Sequence, residues 1–345
     1  MTGDYVRTMP PRPDFTFTFP EPFPAGPHSE HTKCRLLDWL EEHPLLPSAK
    51  AREVLVDITS HGASRTFPTA DAEALVLFAK LMLWLTAFDD IHGEGNAAYN
   101  PAPLVDRTCE LMLVLAGDNP SPAVNPFPAA LHDLLARFQA RTAPTAYLRL
   151  AASLRDTIMA LVWEAHHVTE PEKVLLETYL VMRPHTVFVK TTMAAAEIVL
   201  DYELTDAQRA LPPVRRLEAA VANLAGWIND LASYERELIR GPAQPLSLPT
   251  LLRARHGGTI EEAIARASSM CENEAAIARQ GITDLTCNPS NTLTAHIRAL
   301  EDIARSFIWH TSHARYQGPK RQSLSSSAPL RPARMSEGES DPRQD

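Results

Sequence analysis

Two short runs of oxygen-bearing side chains have the types and spacing to hold a hard cation. The first, FDDIHGE, spans Phe88 to Glu94 and sets Asp89 beside Asp90 at the end of the most apolar stretch of the chain. Adjacent carboxylates at the end of a core helix are costly unless they face water, a cation or a partner. Asp90 and Glu94 share a helix face provided the helix runs through Gly93. The second run, NDLASYERE, spans Asn229 to Glu237 and follows the apolar turns VANLAGWI. Asn229, Ser233 and Glu237 fall at i, i+4 and i+8, so on an α-helix they form one row. An amide oxygen, a hydroxyl and a carboxylate in a row make a face for Mg²⁺, and hard oxygen ligands of this kind suit magnesium bridged to phosphate. The bland reading of each run is a helix end turning polar as it meets solvent. That reading leaves the register of the Asn and the Ser with the Glu unexplained.

The elements that must carry these runs read as helices. DAEALVLFAKLMLWLTAF, APTAYLRLAASLRDTIMALVWEAHH and LEAAVANLAGWINDLASYERELI space their apolar residues at three and four, and strand-like alternation is scarce. The breaks are proline-rich: 118–128, the segment around Pro212 and Pro213, and 241–249 read as loops. The expected architecture is all-α, a single domain of about ten helices packed as a bundle around a cavity. Residues 1–28 form a proline-rich N-terminal segment, 29–317 the helical domain, and 318–345 a tail too poor in apolar residues to fold.

Bulk properties narrow the function. A chain of 345 residues with 45% hydrophobic and 22% charged side chains can bury a substantial core. A net charge of -9 argues against a nucleic-acid partner but not against an anionic substrate bound through metal ions. The four cysteines, Cys34, Cys109, Cys271 and Cys287, have no metal-type spacing and read as reduced thiols of a cytoplasmic protein. No signal peptide is legible, and the apolar run Ala74 to Phe88 is short of the roughly 20 residues of a bilayer span. No stable membrane insertion is expected.

Together the two runs resemble the metal motifs of the class I terpene synthases, particularly the bacterial type. In that family an aspartate-rich motif and an Asn/Ser/Glu motif on opposite helices bind three Mg²⁺ ions. The resemblance implies Asp89, Asp90, Glu94, Asn229, Ser233 and Glu237 as metal ligands, with Glu94 standing in for the usual last aspartate, which here is Gly93. Arg236 occupies the basic position of the second motif. Arg183, 46 residues before Asn229, matches the arginine that senses the substrate's diphosphate, and Arg315-Tyr316, six residues after Trp309, match the closing pair that hydrogen-bonds it. The likeness covers Phe19 to Tyr316.

The resemblance implies the class I terpenoid-synthase helical fold around a central active-site cavity, and a lyase that ionises a linear prenyl diphosphate and cyclises the carbocation. Farnesyl diphosphate is the family's commonest bacterial substrate, and geranylgeranyl diphosphate is the larger alternative. Arginine forks suit phosphate oxygens, and aromatic faces stabilise cations. Phe88 and Trp309 are the preferred substrate-facing aromatics, ahead of Trp84, Phe188 and Trp227. Pro184 removes a helical hydrogen bond. The family's offset then makes Thr186 the linker and Val187 the residue whose carbonyl points at the substrate. His92 is not expected to bind metal, and His166-His167 read as a polar helix end. A homodimer is left open. Two rivals stand: a trans-isoprenyl diphosphate synthase-like prenyltransferase, and a non-catalytic helical binding protein.

Overall fold

A computed structural model describes residues 25–93, 100, 102–120, 125–240, 244–286 and 290–312. Among them there are thirteen α-helices and no strand. In chain order they are α1 (Ser29–Glu42), α2 (Ala49–Thr66), α3 (Ala72–Phe88), α4 (Ala102–Leu115), α5 (Pro126–Arg141), α6 (Pro144–His167), α7 (Leu176–Thr186), α8 (Val189–Val199), α9 (Asp206–Arg209), α10 (Pro212–Arg240), α11 (Leu248–His256), α12 (Ile260–Thr286) and α13 (Asn291–Ser312). A π-helical turn, Asp89–Gly93, continues α3, and a 3₁₀ turn, Pro171–Lys173, precedes α7. The proline-rich N-terminal segment through residue 24, the tail from 318, and Cys287 lie outside the described residues.

Proline explains where the helices begin. The segment around Pro212 and Pro213, expected as a loop, opens α10 instead, the last two residues of the loop expected over 241–249 open α11, and Pro126 opens α5. In the first turn of a helix a missing N–H costs nothing, because those donors have no intrahelical partner. Asn125 caps α5 by accepting from Phe127 N at 3.1 Å. Asp71 caps α3 by accepting from Ala74 N at 2.9 Å.

α3 is buried almost throughout. Its one interior charge, Lys80, packs its ammonium over the Trp39 ring at 5.7 Å, and burial holds its pKa below the ordinary lysine value. α10 is the spine of the bundle. Its 29 residues pack against α7, α8, α11, α12 and α13. α6 forms the opposite wall, in contact with α4, α5, α7, α8 and the π-turn. The N-terminal half of α10 belongs to the core, so its polar row emerges from a buried helix.

Candidate active site

The second motif lies entirely on α10, so Asn229, Ser233 and Glu237 do form one row. Ser233 is fully buried, and its hydroxyl has no hydrogen-bond partner among the described residues. An orphaned buried hydroxyl is unusual and needs an explanation. It lies midway along a row whose other members offer an amide oxygen and a carboxylate, the donor set a hard cation takes. The residues present therefore suit a divalent metal. No group of three or more His, Cys, Asp or Glu suited to a metal occurs among the described residues. The α10 row does not conflict with this, since two of its three donors are not acids.

Arg183 reaches this row from α7. Its Nη2 donates to Asn229 Oδ1 at 2.8 Å and pairs with Asp230 Oδ1 at 2.8 Å. Its Nη1 donates to Thr186 Oγ1 at 3.0 Å and to Glu164 Oε1, on α6, at 3.4 Å. Asp230 is itself fixed, since it accepts the Tyr179 hydroxyl and also Leu248 N at 2.8 Å. Burial discourages charge on Arg183, but Asp230 and its other anionic neighbours outweigh that and raise its pKa. Burial pushes the Asp230 carboxyl up, against the pull of Arg183 and its two donors. Glu164 is pushed by burial to about 7, with Glu237 and Asp230 adding to the rise and Arg183 opposing it. Gly226, one turn before Asp230, makes room for this: a Cβ there would stand 2.8 Å from Arg183 Cγ. Glu164, Tyr179 and Gly226 carry no spacing that would have marked them in the sequence, and Asp230 lies inside the second run but drew no role from it.

The helix of Arg183 breaks where the resemblance expected it to. Pro184 lies inside α7, which ends at Thr186. Val187 N bonds Arg183 O at 3.1 Å and Phe188 N bonds His185 O at 2.9 Å, closing a tight last turn. Phe188 then takes the left-handed conformation, φ 66°, before α8 begins. No hydrogen bond to the Val187 carbonyl is formed among the described residues. A non-glycine residue at positive φ costs about 1–3 kcal/mol and persists only where its surroundings enforce it.

The first motif is split. Asp89 and Asp90 are half-buried on the π-turn that abuts α6, and π-turns of this kind recur at functional sites. Gly93 packs tightly on Asp89: a Cβ at residue 93 would stand 2.4 Å from Asp89 Oδ1. Glycine at the last position of the motif thus accommodates the Asp89 carboxylate. Glu94, Arg315 and Tyr316 lie outside the described residues. Arg236 Nη2 stands 3.6 Å from Glu237 Oε1 on the same helix.

Phe88 is 1% exposed and stacks on Trp84, with ring centroids 5.5 Å apart. Phe127 meets it edge-on at 5.6 Å. His92 closes this cluster between Phe88 and Phe127, and burial holds its pKa below the ordinary histidine value. Trp309 is half-buried on α13, with the Arg65 guanidinium 4.4 Å above its ring. A separate polar cavity of about 150 Å³ is lined by Arg149, Lys190, Glu197, Arg209, Glu218 and His296 among others. It opens beside Glu218, about 16 Å along α10 from Asn229. Arg149 and Arg209 both bind Glu197 at 2.8 Å, and Glu218 pairs with His296 at 3.1 Å. Those pairs read as a structural ion network away from the two motifs.

The family model described as "Terpene synthase family 2, C-terminal metal binding" matches residues 80–276, which hold both motifs and Arg183. The (12E)-labda-8(17),12,14-triene synthase of Streptomyces cyslabdanicus is 78% identical over 320 residues, covering 93% of this chain and 97% of its own. The enzyme of the same name from Streptomyces anulatus is 48% identical, covering 89% and 95%. Among solved structures, wild-type cucumene synthase superposes with a TM-score of 0.72 at 23% identity, over 85% of this chain and 99% of that one, which speaks for the fold alone. The chain belongs to the terpene synthase family, as a bacterial class I enzyme that acts on a prenyl diphosphate. It binds a divalent metal. The prenyltransferase and non-catalytic readings give way to it. No helix among the described residues is long and apolar enough to cross a membrane.

Proposed function

We propose that this chain ionises a twenty-carbon diphosphate with Mg²⁺ and releases a labdatriene by proton loss. The observation that carries the site assignment is the guanidinium of Arg183, bound at once to Asn229 and Asp230. It joins an anion contact to the metal row on α10. Asp89, Asp90, Asn229, Ser233 and Glu237 would hold three Mg²⁺ ions, joined by Glu94. Bound there, the ions would neutralise charge building on the departing diphosphate. Arg183, Arg236, Arg315 and Tyr316 would donate to its oxygens. The Val187 carbonyl would face the allylic carbon as positive charge develops. Phe88 and Trp309 are proposed to offer aromatic faces to the cation, Phe88 through the cluster that holds it.

The twenty-carbon substrate is supported by the two relatives, both named as makers of a labda-8(17),12,14-triene. A labdane carries its two rings at the end remote from the diphosphate carbon. Breaking the allylic C–O bond places the cation in the open side chain, and losing a proton beside it leaves a conjugated diene. Closing rings at the remote end is a proton-initiated reaction that spares the diphosphate. The substrate that suits such a product best is a bicyclic labdane-type diphosphate. Linear geranylgeranyl diphosphate is its comparison.

The test incubates the enzyme and Mg²⁺ with farnesyl, geranylgeranyl and bicyclic labdane-type diphosphates, then resolves the products by gas chromatography and mass spectrometry. Triene and inorganic diphosphate from the bicyclic substrate are expected. Turnover of farnesyl diphosphate alone would refute the chain length. A labdatriene formed directly from geranylgeranyl diphosphate would assign ring closure to this chain as well.

A further inference from the structure

Arg183 has five N–H donors, and its acceptors differ in how firmly they are held. Nη2 lies between Asn229 and Asp230, both on α10 and both at 2.8 Å. Asp230 cannot follow a moving guanidinium, because Tyr179 and the backbone of Leu248 grip its other oxygen. Nη1 is served differently. Thr186, on its own helix, accepts at 3.0 Å, whereas Glu164 reaches it from α6 at 3.4 Å. The Nε–H is buried and has no hydrogen-bond partner among the described residues. Glu164 thus makes the longest of the four contacts, and its carboxylate takes the acceptor position beside Nη1 that a diphosphate oxygen would need.

We infer that Glu164 is a positioning residue for Arg183, aligning the guanidinium until a diphosphate oxygen displaces the carboxylate from Nη1. The inference rests on the reading above that Arg183 contacts diphosphate. Asp230 keeps its hold during the exchange, so the arginine is re-partnered and does not swing away. The charged groups facing Glu164 are Arg183 from α7 and Asp230 and Glu237 from α10. An incoming polyanion adds repulsion to that of the two carboxylates, which drives Glu164 off. Its pKa of about 7 lets it leave as a neutral acid near neutral pH.

The experiment measures binding of inorganic diphosphate at saturating Mg²⁺ by calorimetry, for wild type, Glu164→Gln, Arg183→Gln and the double variant. Removing a competing carboxylate should tighten binding about three- to tenfold in the wild-type background. In the Arg183→Gln background Glu164→Gln should change nothing. Glu164→Ala must tighten binding too, which covers the case in which the glutamine variant folds poorly. Unchanged or weaker binding in the Glu164 variants overturns the inference. So does equal tightening without Arg183, since that would be a general field effect. If Arg183→Gln alone leaves diphosphate affinity unchanged, what fails is the reading of Arg183 as the diphosphate contact.

Discussion

Replacing Gly226 with alanine tests the site through the close packing of Arg183 against α10. Alanine in a helix interior is favoured over glycine by about 1 kcal/mol, so on propensity alone Gly226→Ala should stabilise α10. The new Cβ, however, would stand 2.8 Å from Arg183 Cγ, 0.6 Å inside ordinary contact. Cγ is near the root of the side chain, so relief requires turning χ1, which sweeps the guanidinium off Asp230 and Asn229. Asp230 would then remain buried with Tyr179 and Leu248 N but without its cation, a loss of about 1–3 kcal/mol, which offsets the propensity gain. Net stability should fall by no more than about 2 kcal/mol. Activity should fall much further. Loss of one preorganised donor to a departing anion costs about 10²–10³ in kcat. The assay is steady-state release of inorganic diphosphate, run beside thermal unfolding by circular dichroism. Gly281→Ala is the control: its Cβ would meet Leu217 Cβ at 3.4 Å, an ordinary contact, so activity should be retained. A Gly226→Ala enzyme within twofold of wild-type kcat would show that the arginine's placement does not matter to turnover.

Two further substitutions separate site from scaffold. Ser233→Ala removes a buried hydroxyl that has no hydrogen-bond partner among the described residues, so stability should hold or rise by up to about 1 kcal/mol while Mg²⁺ affinity drops. A destabilised Ser233→Ala protein with unchanged metal affinity, measured by calorimetry, would make this serine structural. Glu164 titrates near 7 in the folded chain against an ordinary 4.5. Between those values the unfolded chain has released a proton that the folded chain keeps, so rising pH favours unfolding. This penalty is absent below about pH 4.5, complete above about pH 7, and at most about 3 kcal/mol. Chemical denaturation of Glu164→Gln should therefore show a smaller loss of stability across that window than wild type, and parallel curves would remove Glu164 as its source.

The legible parts of this protein are those governed by one element at a time. Asn229, Ser233 and Glu237 share a helix, so their spacing alone puts them in register. The all-α architecture follows from apolar spacing in each long run. The parts hidden in the sequence depend on how elements meet. Glu164 belongs to α6 and Asp230 to α10, and nothing in their separation announces that both face Arg183. Proline misled in one place and informed in another. At Pro212 it suggested a loop because proline interrupts helices, yet in the first turn there is no bond to interrupt. At Pro184 it did announce a break, but the left-handed residue is Phe188, where the absence of glycine gave no sign. Phe88 stood out for lying beside Asp89. Its ring is nevertheless held by Trp84, one turn earlier on the same helix, and by Phe127 across on α5.

The contact between Arg183 and Asn229 ties the two halves of the proposed chemistry to a single atom. An amide oxygen has two lone pairs, so Asn229 Oδ1 could accept from a guanidinium and still bind a cation. Two positive centres on one oxygen repel, and burial strengthens that repulsion. Without metal, Arg183 supplies the positive charge that Asp230, Glu164 and Glu237 require. With metal, the α10 row gains charge of its own and Arg183 has a surplus to place. A diphosphate arriving with metal ions takes up that surplus through Nη1, the corner of the guanidinium that Glu164 holds most weakly. Cation and anion should therefore bind more tightly together than apart, and the coupling should weaken when Arg183 is replaced.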